Sequence, residues 1–215
     1  GLHFFLPVLT LAMTNGGWVI TTPRVAWEGK ENWLGVLIPV GIVLLLSLSR
    51  YFAFQTPLTA SRPPQTSTIL LLLGVFCLAI LPLGLFTKPT RKVLGGGFLV
   101  VLIFFIVLKV PYVSLQVSEF LRSLTLQSLA TASPLDIRWL GYSYIAFRIL
   151  HTIRDRQTGR LPAVSLAEYV VYVIFFPALA AGPIDRIERF VGDLRKPLQR
   201  NADDWGTAGK RLVLG

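Results

Sequence analysis

The sequence predicts an all-α, polytopic membrane protein. Hydrophobic residues make up 53% of the 215 positions, charged residues make up only 15%, and the mean hydropathy is +0.62. Soluble domains carry roughly 25% charged residues, so this chain lacks the polar surface that water requires. The apolar residues also form continuous runs, which indicates helices that face a bilayer. We therefore predict a single membrane domain over residues 1–215, in a multi-pass protein of the inner (plasma) membrane.

The charged residues, the single cysteine and the two histidines argue against several other classes of protein. The net charge is +10, but the basic residues are scattered between apolar runs. That distribution is typical of loops facing anionic lipid headgroups and disfavours a nucleic-acid-binding surface. Cys77 stands alone inside an apolar run, so the chain offers no disulfide framework. His3 and His151 have no spacing typical of a metal site.

The N-terminal residues predict a short apolar segment followed by an interfacial loop. Residues 2–13 are apolar but too short for an independent membrane span. Residues 15–17 (Asn-Gly-Gly) have strong turn chemistry and are predicted to end this segment. Trp18, Trp27 and Trp33 then lie among charged residues, which is typical of an aromatic belt at the headgroup level.

The distribution of apolar residues predicts about five apolar helices. The first three are ordinary hydrophobic runs, whereas the last two are more polar and are interrupted. They cover residues 34–54, 69–86, 93–108, 136–154 and 165–181.

Two segments leave alternatives open. A glycine triplet at residues 95–97 marks either a close contact between helices or a flexible entry into the third span. Residues 114–134 mix apolar side chains with Ser, Thr and Gln, which suits an interfacial helix or a partly buried one.

The fourth predicted helix carries a polar, partly ionisable stripe. Five residues spaced three and four apart share one face. Inside a membrane protein such a stripe usually points into the helix bundle or a wet cavity, because exposing it to hydrocarbon is costly. Arg148 suits either a polar channel wall or a helix end that reaches the headgroups, and His151 suits the helix end. The stripe consists of Gly141, Tyr144, Arg148, His151 and Asp155.

The fifth predicted helix is short and broken. Ser165 and Glu168 form a capping box that fixes its start. Pro177 lacks an N–H and is predicted to kink or break the helix, and residues 182–183 (Gly-Pro) stop it. At 1.5 Å per residue the helix is about 24 Å long, shorter than a hydrocarbon core of roughly 30 Å. A short, proline-broken helix often lines a site or cavity, where freed backbone groups find partners.

The residues that follow predict an amphipathic helix in the membrane interface. Apolar side chains recur on one side and basic side chains lie elsewhere. We predict that residues 184–215 form a polar interfacial segment, which the positive-inside rule places in the cytoplasm. The apolar side consists of Ile184, Ile187, Val191 and Leu194.

Two stretches resemble the membrane-bound O-acyltransferase family. They are LGYSYIAFRILHTIRDRQTG at residues 140–159 and FFPALAAGPIDRIERF at residues 175–190. The resemblance is to the bacterial branch of the alginate O-acetyltransferases and the D-alanyl transfer protein, and it covers about a quarter of the chain. The residues that match the family motifs are Gly141, Ser143, Phe147, Phe175, Phe176, Pro177, Gly182, Pro183, Ile184, Asp185, Arg186 and Phe190.

The resemblance implies transfer of an acyl group to a hydroxyl of a cell-envelope polymer. A thioester of a carrier protein or of coenzyme A type would be the cytoplasmic donor, with no metal and no tightly bound cofactor. The implied partners are membrane lipid, an acyl carrier or other membrane subunits, and the acceptor polymer, with no nucleic acid. The residues expected to line the substrate tunnel are Tyr144, Arg148, Pro183, Asp185 and Arg186.

The chain departs from the family pattern at the catalytic histidine. Family members place this general base a hundred residues or more beyond the GPI motif, and neither His3 nor His151 matches that place. We therefore expect an N-terminal portion of an acyltransferase, with no catalytic residue in this chain. The alternatives are a non-catalytic scaffold subunit and a transporter or channel. The last predicts an internal repeat with paired broken helices, and the sequence shows no such repeat.

Overall fold

The secondary structure is helical, with no strand in the part of the chain that the structure describes. The computed structural model describes residues 5–23, 27, 29–52, 65–86, 89–124, 128–137, 141–175, 185–196, 206 and 210. The helices are α1 (Phe5–Thr21), α2 (Glu31–Leu48), α3 (Thr66–Phe86), α4 (Arg91–Lys109), α5 (Pro111–Leu124), α6 (Tyr142–Gln157), α7 (Leu166–Ile174) and α8 (Ile187–Leu194).

Two of these helices are long and apolar enough to cross a membrane. They are α2 with its short 3₁₀ extension, Glu31–Tyr51, and α4, Arg91–Lys109. Their apolar side chains point outward, as Leu45 with 68% exposure and Ile103 with 49% exposure illustrate. Outward-facing apolar side chains along a span-length helix are typical of contact with lipid, so the structure supports a membrane protein. Length and hydropathy together support spans for these two helices.

The turn predicted at residues 15–17 is wrong, because α1 runs through it to Thr21. Gly17 lies against α6 and α7, where a Cβ atom would approach the Tyr169 hydroxyl to 2.7 Å. The Asn15 side chain donates to the carbonyl of Leu11, four residues back in the same helix. Tertiary packing therefore overrides the turn preference of the Asn-Gly-Gly sequence.

The predicted tryptophan belt divides into buried and exposed members. Trp18 is only 4% exposed, and its indole Nε1 donates to the carbonyl of Val164 at 3.0 Å. Trp27 packs on Trp18 with ring centroids 5.4 Å apart. Trp33 alone among the three is largely exposed, at 70%, and suits the headgroup level. Trp18 is thus a core residue, since α1 continues and carries it inward.

The core lies where α1, α4, α6 and α7 meet. A buried apolar cluster joins these helices and extends to α8. Gly97 of α4 lies against Ile20 of α1 and Ile153 of α6, which identifies a close helix contact at the end of the glycine triplet. Gly95 and Gly96 face open space. The two alternatives for the triplet are therefore resolved in favour of a close contact, at one of its three glycines.

Residues 114–134, left open by the sequence, begin with α5 and continue into a 3₁₀ turn. Ser118 Oγ and Arg122 Nε of α5 donate to the Asp136 carboxylate at 2.6 and 2.7 Å. The Arg122 guanidinium, and after it the Ser118 hydroxyl, holds the pKa of Asp136 well below its usual value. These two hydrogen bonds hold the turn Pro134–Ile137 against α5.

The fourth predicted helix begins later than expected. Asp136 belongs to a separate 3₁₀ turn, and α6 starts only after Gly141. Gly141 has φ +80°, a left-handed conformation that glycine adopts without steric cost. This reversal separates the turn from α6, which the apolar pattern alone does not indicate.

Candidate functional site

The buried face of α6 contains a charged side chain. Within the described ranges, Arg148 is the one charged residue among those that are fully buried, at 2% exposure. Ile145 and Ile149, which lie on either side of it in the helix, are 3% and 0% exposed. Removing a guanidinium from water is costly unless it finds hydrogen-bond partners, so its surroundings determine what it does.

Arg148 binds the end of the neighbouring helix α7. Its Nη1 donates to the carbonyl oxygen of Tyr172 at 2.6 Å and to that of Val173 at 3.4 Å. Its guanidinium carbon also lies 5.3 Å from the centre of the Tyr172 ring, within the range of a cation–π contact. Its Nε is buried and has no hydrogen-bond partner among the residues that the structure describes.

The position of these contacts explains why a cation is favourable there. The last four carbonyls of a helix have no partner within the helix, and the helix dipole makes this end negative. α7 ends at Ile174, so Tyr172 and Val173 lie in its last turn. Arg148 therefore satisfies carbonyls that the end of α7 would otherwise leave buried and unpaired.

The same end of α7 is fastened to the segment that precedes α8. The Tyr172 hydroxyl donates to the main-chain carbonyl of Asp185 at 2.8 Å. The Phe190 ring contacts the rings of Tyr172 and Phe175, with centroids 5.4 and 5.2 Å apart. We call Arg148, Tyr172 and Asp185 the Arg148 cluster. It holds the residues on both sides of 176–184 close together.

The start of α7 is fixed by side chains from three directions. The predicted capping box is confirmed: Ser165 Oγ accepts from the N–H of Glu168, and the Glu168 carboxylate accepts from the N–H of Ser165. Asn32 of α2 accepts from the N–H of Leu166 at 2.7 Å. Arg195, beyond α8, donates to both carboxylate oxygens of Glu168 at 2.6 and 2.8 Å. Three N–H groups at this helix start thus have side-chain partners.

α7 is too short to cross a membrane. Its nine residues span about 13 Å, less than half of a hydrocarbon core of roughly 30 Å. It packs along α2 and begins beside Gly35, four residues after the start of that span-length helix. The start of α7 therefore lies beside the first two turns of α2.

The residues of the predicted ionisable stripe on α6 lie in different environments. Arg148 is buried and His151 is exposed, whereas Tyr144 and Asp155 are half-buried. Residues three apart differ by about 60° around a helix, which is enough to turn His151 out of the packed face. Thr152, four residues after Arg148, is fully buried and donates to the Arg148 carbonyl at 2.8 Å.

The remaining predicted site residues lie at or beyond the end of α7. Asp185 is half-buried beside Tyr172, and Arg186 is exposed at the N-cap of α8. Pro183 and Pro177 lie outside the described residues, so the break predicted at Pro177 is seen only as the end of α7 at Ile174. An open concavity of about 580 Å³ lies along α8. Its charged lining residues are Asp185, Arg186, Glu188, Arg189, Asp193 and Lys196.

The amphipathic helix predicted after α7 is present as α8. Ile187 and Val191 are each 1% exposed and pack into the core, whereas Leu194 is 50% exposed. Leu194 is the last residue of α8, where the chain leaves the packed face.

Sequence reasoning missed two residues that organise this site. Tyr172 binds Arg148 through its carbonyl and Asp185 through its hydroxyl. Asn32 binds the start of α7 across 134 residues of sequence. The sequence around each residue gives no signal of this role, because a tyrosine in an apolar helix and an asparagine beside a tryptophan are both common. Among the described residues, no group of three His, Cys, Asp or Glu side chains could hold a metal ion.

A part of the chain is similar to curated acyltransferases. A stretch of 55 residues is 38% identical to a teichoic acid D-alanyltransferase of Lacticaseibacillus rhamnosus, and it covers 26% of this chain and 14% of that protein. The similarity is to teichoic acid D-alanyltransferases. Stretches of 57 and 61 residues are 37% and 38% identical to the proteins of that name in Streptococcus thermophilus and Bacillus subtilis, covering 26% and 28% of this chain.

The similarity to these D-alanyltransferases is local. The matched stretches span only 14% to 15% of the length of these relatives. No protein-family model matches the chain, and no solved structure matches it either. Over the matched stretch, the relatives support the resemblance to membrane-bound O-acyltransferases.

Proposed function

We propose that this chain is part of a membrane-embedded O-acyltransferase that transfers a D-alanyl-type acyl group to a hydroxyl of an envelope polymer. The identity of 37% to 38% to teichoic acid D-alanyltransferases is the observation that carries this proposal. The outward apolar surface of α2 and α4 supports the membrane setting. The end of a short helix at a buried arginine supports a site within the helix assembly.

In this proposal the donor is a cytoplasmic thioester, of a carrier protein or of coenzyme A type. The hydroxyl oxygen of the acceptor attacks the thioester carbonyl, a C–O bond forms, and the C–S bond breaks. A general base takes the hydroxyl proton, and the departing thiolate is protonated in turn. The family resemblance implies that this general base is a histidine.

Arg148 gives the proposed acyl path a fixed positive charge. Nη1 is occupied by the carbonyls of α7, whereas Nε has no partner among the described residues. A desolvated N–H is well suited to hold an acyl carbonyl oxygen, which becomes more negative during transfer. We assign to Arg148 the binding and orientation of the acyl group. Tyr144, Pro183, Asp185 and Arg186 are assigned to the lining of the same path.

The structure also favours a second candidate, a non-catalytic scaffold subunit. The hydrogen bonds from Arg148 to Tyr172 and Val173 explain its burial without any substrate. In a scaffold, Arg148 would serve only to hold the end of α7. The two candidates therefore differ in what the Nε of Arg148 is needed for.

Conservative substitution of Arg148 distinguishes the two candidates. Arg148→Lys keeps a positive charge and a donor for the Tyr172 carbonyl but removes Nε. The full-length protein is expressed in a bacterium that has lost D-alanylation of its teichoic acid. D-alanyl esters on the envelope are then released by mild alkali and counted. We expect wild-type protein to restore the esters and Arg148→Lys to restore less than a tenth of them, with equal amounts in the membrane.

Arg154→Lys on the exposed side of the same helix is the matched control and is expected to keep wild-type activity. Activity of Arg148→Lys equal to that of wild type would overturn the acyl-binding role and favour the scaffold. Failure of the wild-type protein to restore the esters would overturn D-alanyl transfer itself.

A further inference from the structure

One end of the helix assembly carries the starts of both candidate membrane spans. α2 begins beside the start of α7, where Gly35 lies against the backbone at Leu166. α4 begins at the same end, because Gly97 in its second turn lies against Ile153 of α6, which ends at Gln157. Only residues 158–165 join the end of α6 to the start of α7, and Arg148 in the middle of α6 meets Tyr172 near the end of α7. The end of α6 and the start of α7 therefore also lie at this end.

Six basic residues at this end form what we call the basic rim. Two of them open α4, three lie in the last turn of α6 and just after it, and one precedes α2. All are exposed or half-buried, and none forms an ion pair within the described part of the chain. The basic rim consists of Lys30, Arg91, Lys92, Arg154, Arg156 and Arg160.

Acidic residues neutralise little of the basic rim. Two further basic residues at this end, Arg195 and Lys196, are already paired with carboxylates at 2.6 Å each. Among the described residues at this end, only the carboxylates of Glu31 and Asp155 then remain to offset the six positive charges of the rim. Among the described residues, the rim therefore has a net positive charge that acidic side chains do not cancel.

Within the described ranges, the opposite end of the helix assembly is much less basic. Arg50 follows α2 there, and Lys109 ends α4. Arg122 of α5 is paired with Asp136 at 2.7 Å, so it adds no net charge. The described ends of the helix assembly thus differ strongly in Lys and Arg. The amino-acid sequence alone does not show this difference, because it does not tell which helix ends lie together in space.

We propose that the basic rim binds anionic phospholipid headgroups of the cytoplasmic leaflet and so orients the protein in the membrane. Excess Lys and Arg close to the ends of spans set the cytoplasmic side, and anionic headgroups attract basic residues at the surface. The starts of α2, α4 and α7 then face the cytoplasm, and the ends of α2 and α4 face outward. This orientation is independent of the proposed acyl transfer.

Cysteine labelling tests the orientation. In a Cys77→Ser background, Thr158→Cys places a thiol beside the rim and Tyr112→Cys places one beyond the end of α4, both at exposed positions. A membrane-impermeant maleimide is applied to spheroplasts and to inverted membrane vesicles. We expect Thr158→Cys to react only in inverted vesicles and Tyr112→Cys only in spheroplasts. The reverse pattern, or equal labelling of both, would overturn the proposal.

Lipid titration tests the headgroup contact. The purified full-length protein in detergent is titrated with fluorescent phosphatidylglycerol and, separately, with fluorescent phosphatidylcholine. We expect Arg156→Gln/Arg160→Gln to weaken phosphatidylglycerol binding about 25-fold, since each surface cation contributes about fivefold. The matched control, Arg50→Gln/Lys109→Gln at the other end, is expected to bind like wild type.

Inorganic phosphate at millimolar concentration is added as a competitor, because it shares the headgroup chemistry. We expect it to leave phosphatidylglycerol bound. Equal loss in both double variants, no preference over phosphatidylcholine, or displacement by inorganic phosphate would each overturn the lipid-binding role of the rim.

Discussion

Arg148 Nη1 donates to the Tyr172 carbonyl oxygen at 2.6 Å, joining the middle of α6 to the last turn of α7. The two residues are 24 positions apart in the sequence. The Tyr172 hydroxyl in turn donates to the main-chain carbonyl of Asp185. A single buried cation thus organises the end of the short helix on which the proposed site depends. We therefore expect both the stability of the protein and the proposed acyl transfer to depend on Arg148, and the choice of substitution separates the two.

Arg148→Met is expected to destabilise the protein while nearly preserving side-chain volume. The substitution leaves the carbonyls of Tyr172 and Val173 buried without this donor, which costs about 1–3 kcal/mol in the free energy of unfolding. Denaturant unfolding in detergent micelles measures the loss, and hydrogen exchange of the α7 amides localises it. Arg154→Met, at an exposed position, is expected to change stability by less than about 0.5 kcal/mol. Equal effects of the two substitutions would contradict this account.

Gly17→Ala is expected to be destabilising because the new methyl group meets the Tyr169 hydroxyl at 2.7 Å. Overpacking of this kind costs about 1–3 kcal/mol. Tyr169→Phe removes the clashing oxygen, so the double variant should recover part of the loss in a double-mutant cycle. Thermal unfolding of the four proteins gives the coupling energy.

Gly96→Ala is the control for this cycle, since nothing lies within 4 Å of the added Cβ. It should be neutral or stabilise α4 by up to about 1 kcal/mol through helix propensity. A coupling energy of zero between positions 17 and 169 would show that the close approach is relieved elsewhere.

Asn32→Ala is expected to loosen the start of α7. Asn32 is 8% exposed and accepts the buried N–H of Leu166, whose loss of partner costs about 1–3 kcal/mol. Faster hydrogen exchange in the first turn of α7 would report the change. Asn15→Ala is the control, because the Leu11 carbonyl that Asn15 binds lies within the continuous helix α1, so its effect should be below about 0.5 kcal/mol. Unchanged exchange at Leu166 in Asn32→Ala would rule out this cap.

The hydrogen bonds from Ser118 and Arg122 to Asp136 are expected to stabilise the protein only when the Asp136 carboxyl is ionised. Arg122 and Ser118 hold its pKa below the unfolded value of about 3.9. The stabilisation is therefore complete above that value and declines as the pH falls toward the folded pKa. The melting temperature of wild type should exceed that of Asp136→Asn at pH 7, and the difference should shrink below about pH 4.

Asp193→Asn provides the comparison for this pH series. Asp193 binds Lys196 at 2.6 Å, but both side chains are more than half exposed, so the pair contributes little to stability. A difference between wild type and Asp136→Asn that stays constant from pH 3 to pH 7 would be inconsistent with an ionised Asp136.

Local sequence patterns determined several features of this protein correctly. The apolar runs placed the two span-length helices α2 and α4, and the Ser165–Glu168 capping box placed the start of α7. These signals involve residues within a few positions of one another, so they can be recognised without knowledge of tertiary contacts.

Tertiary structure alone decided the environment of each candidate residue. α1 continues through Gly17 because α6 and α7 pack there, and Trp18 is buried for the same reason. Arg148 is buried because the end of α7 supplies carbonyls that neutralise the cost of desolvation, whereas His151, one turn further on, faces outward. The sequence by itself determined which side chains have the chemistry to serve in a functional site. The packing of helices distant in sequence decided which of them share a buried site, because burial and hydrogen bonding depend on partners brought together in space.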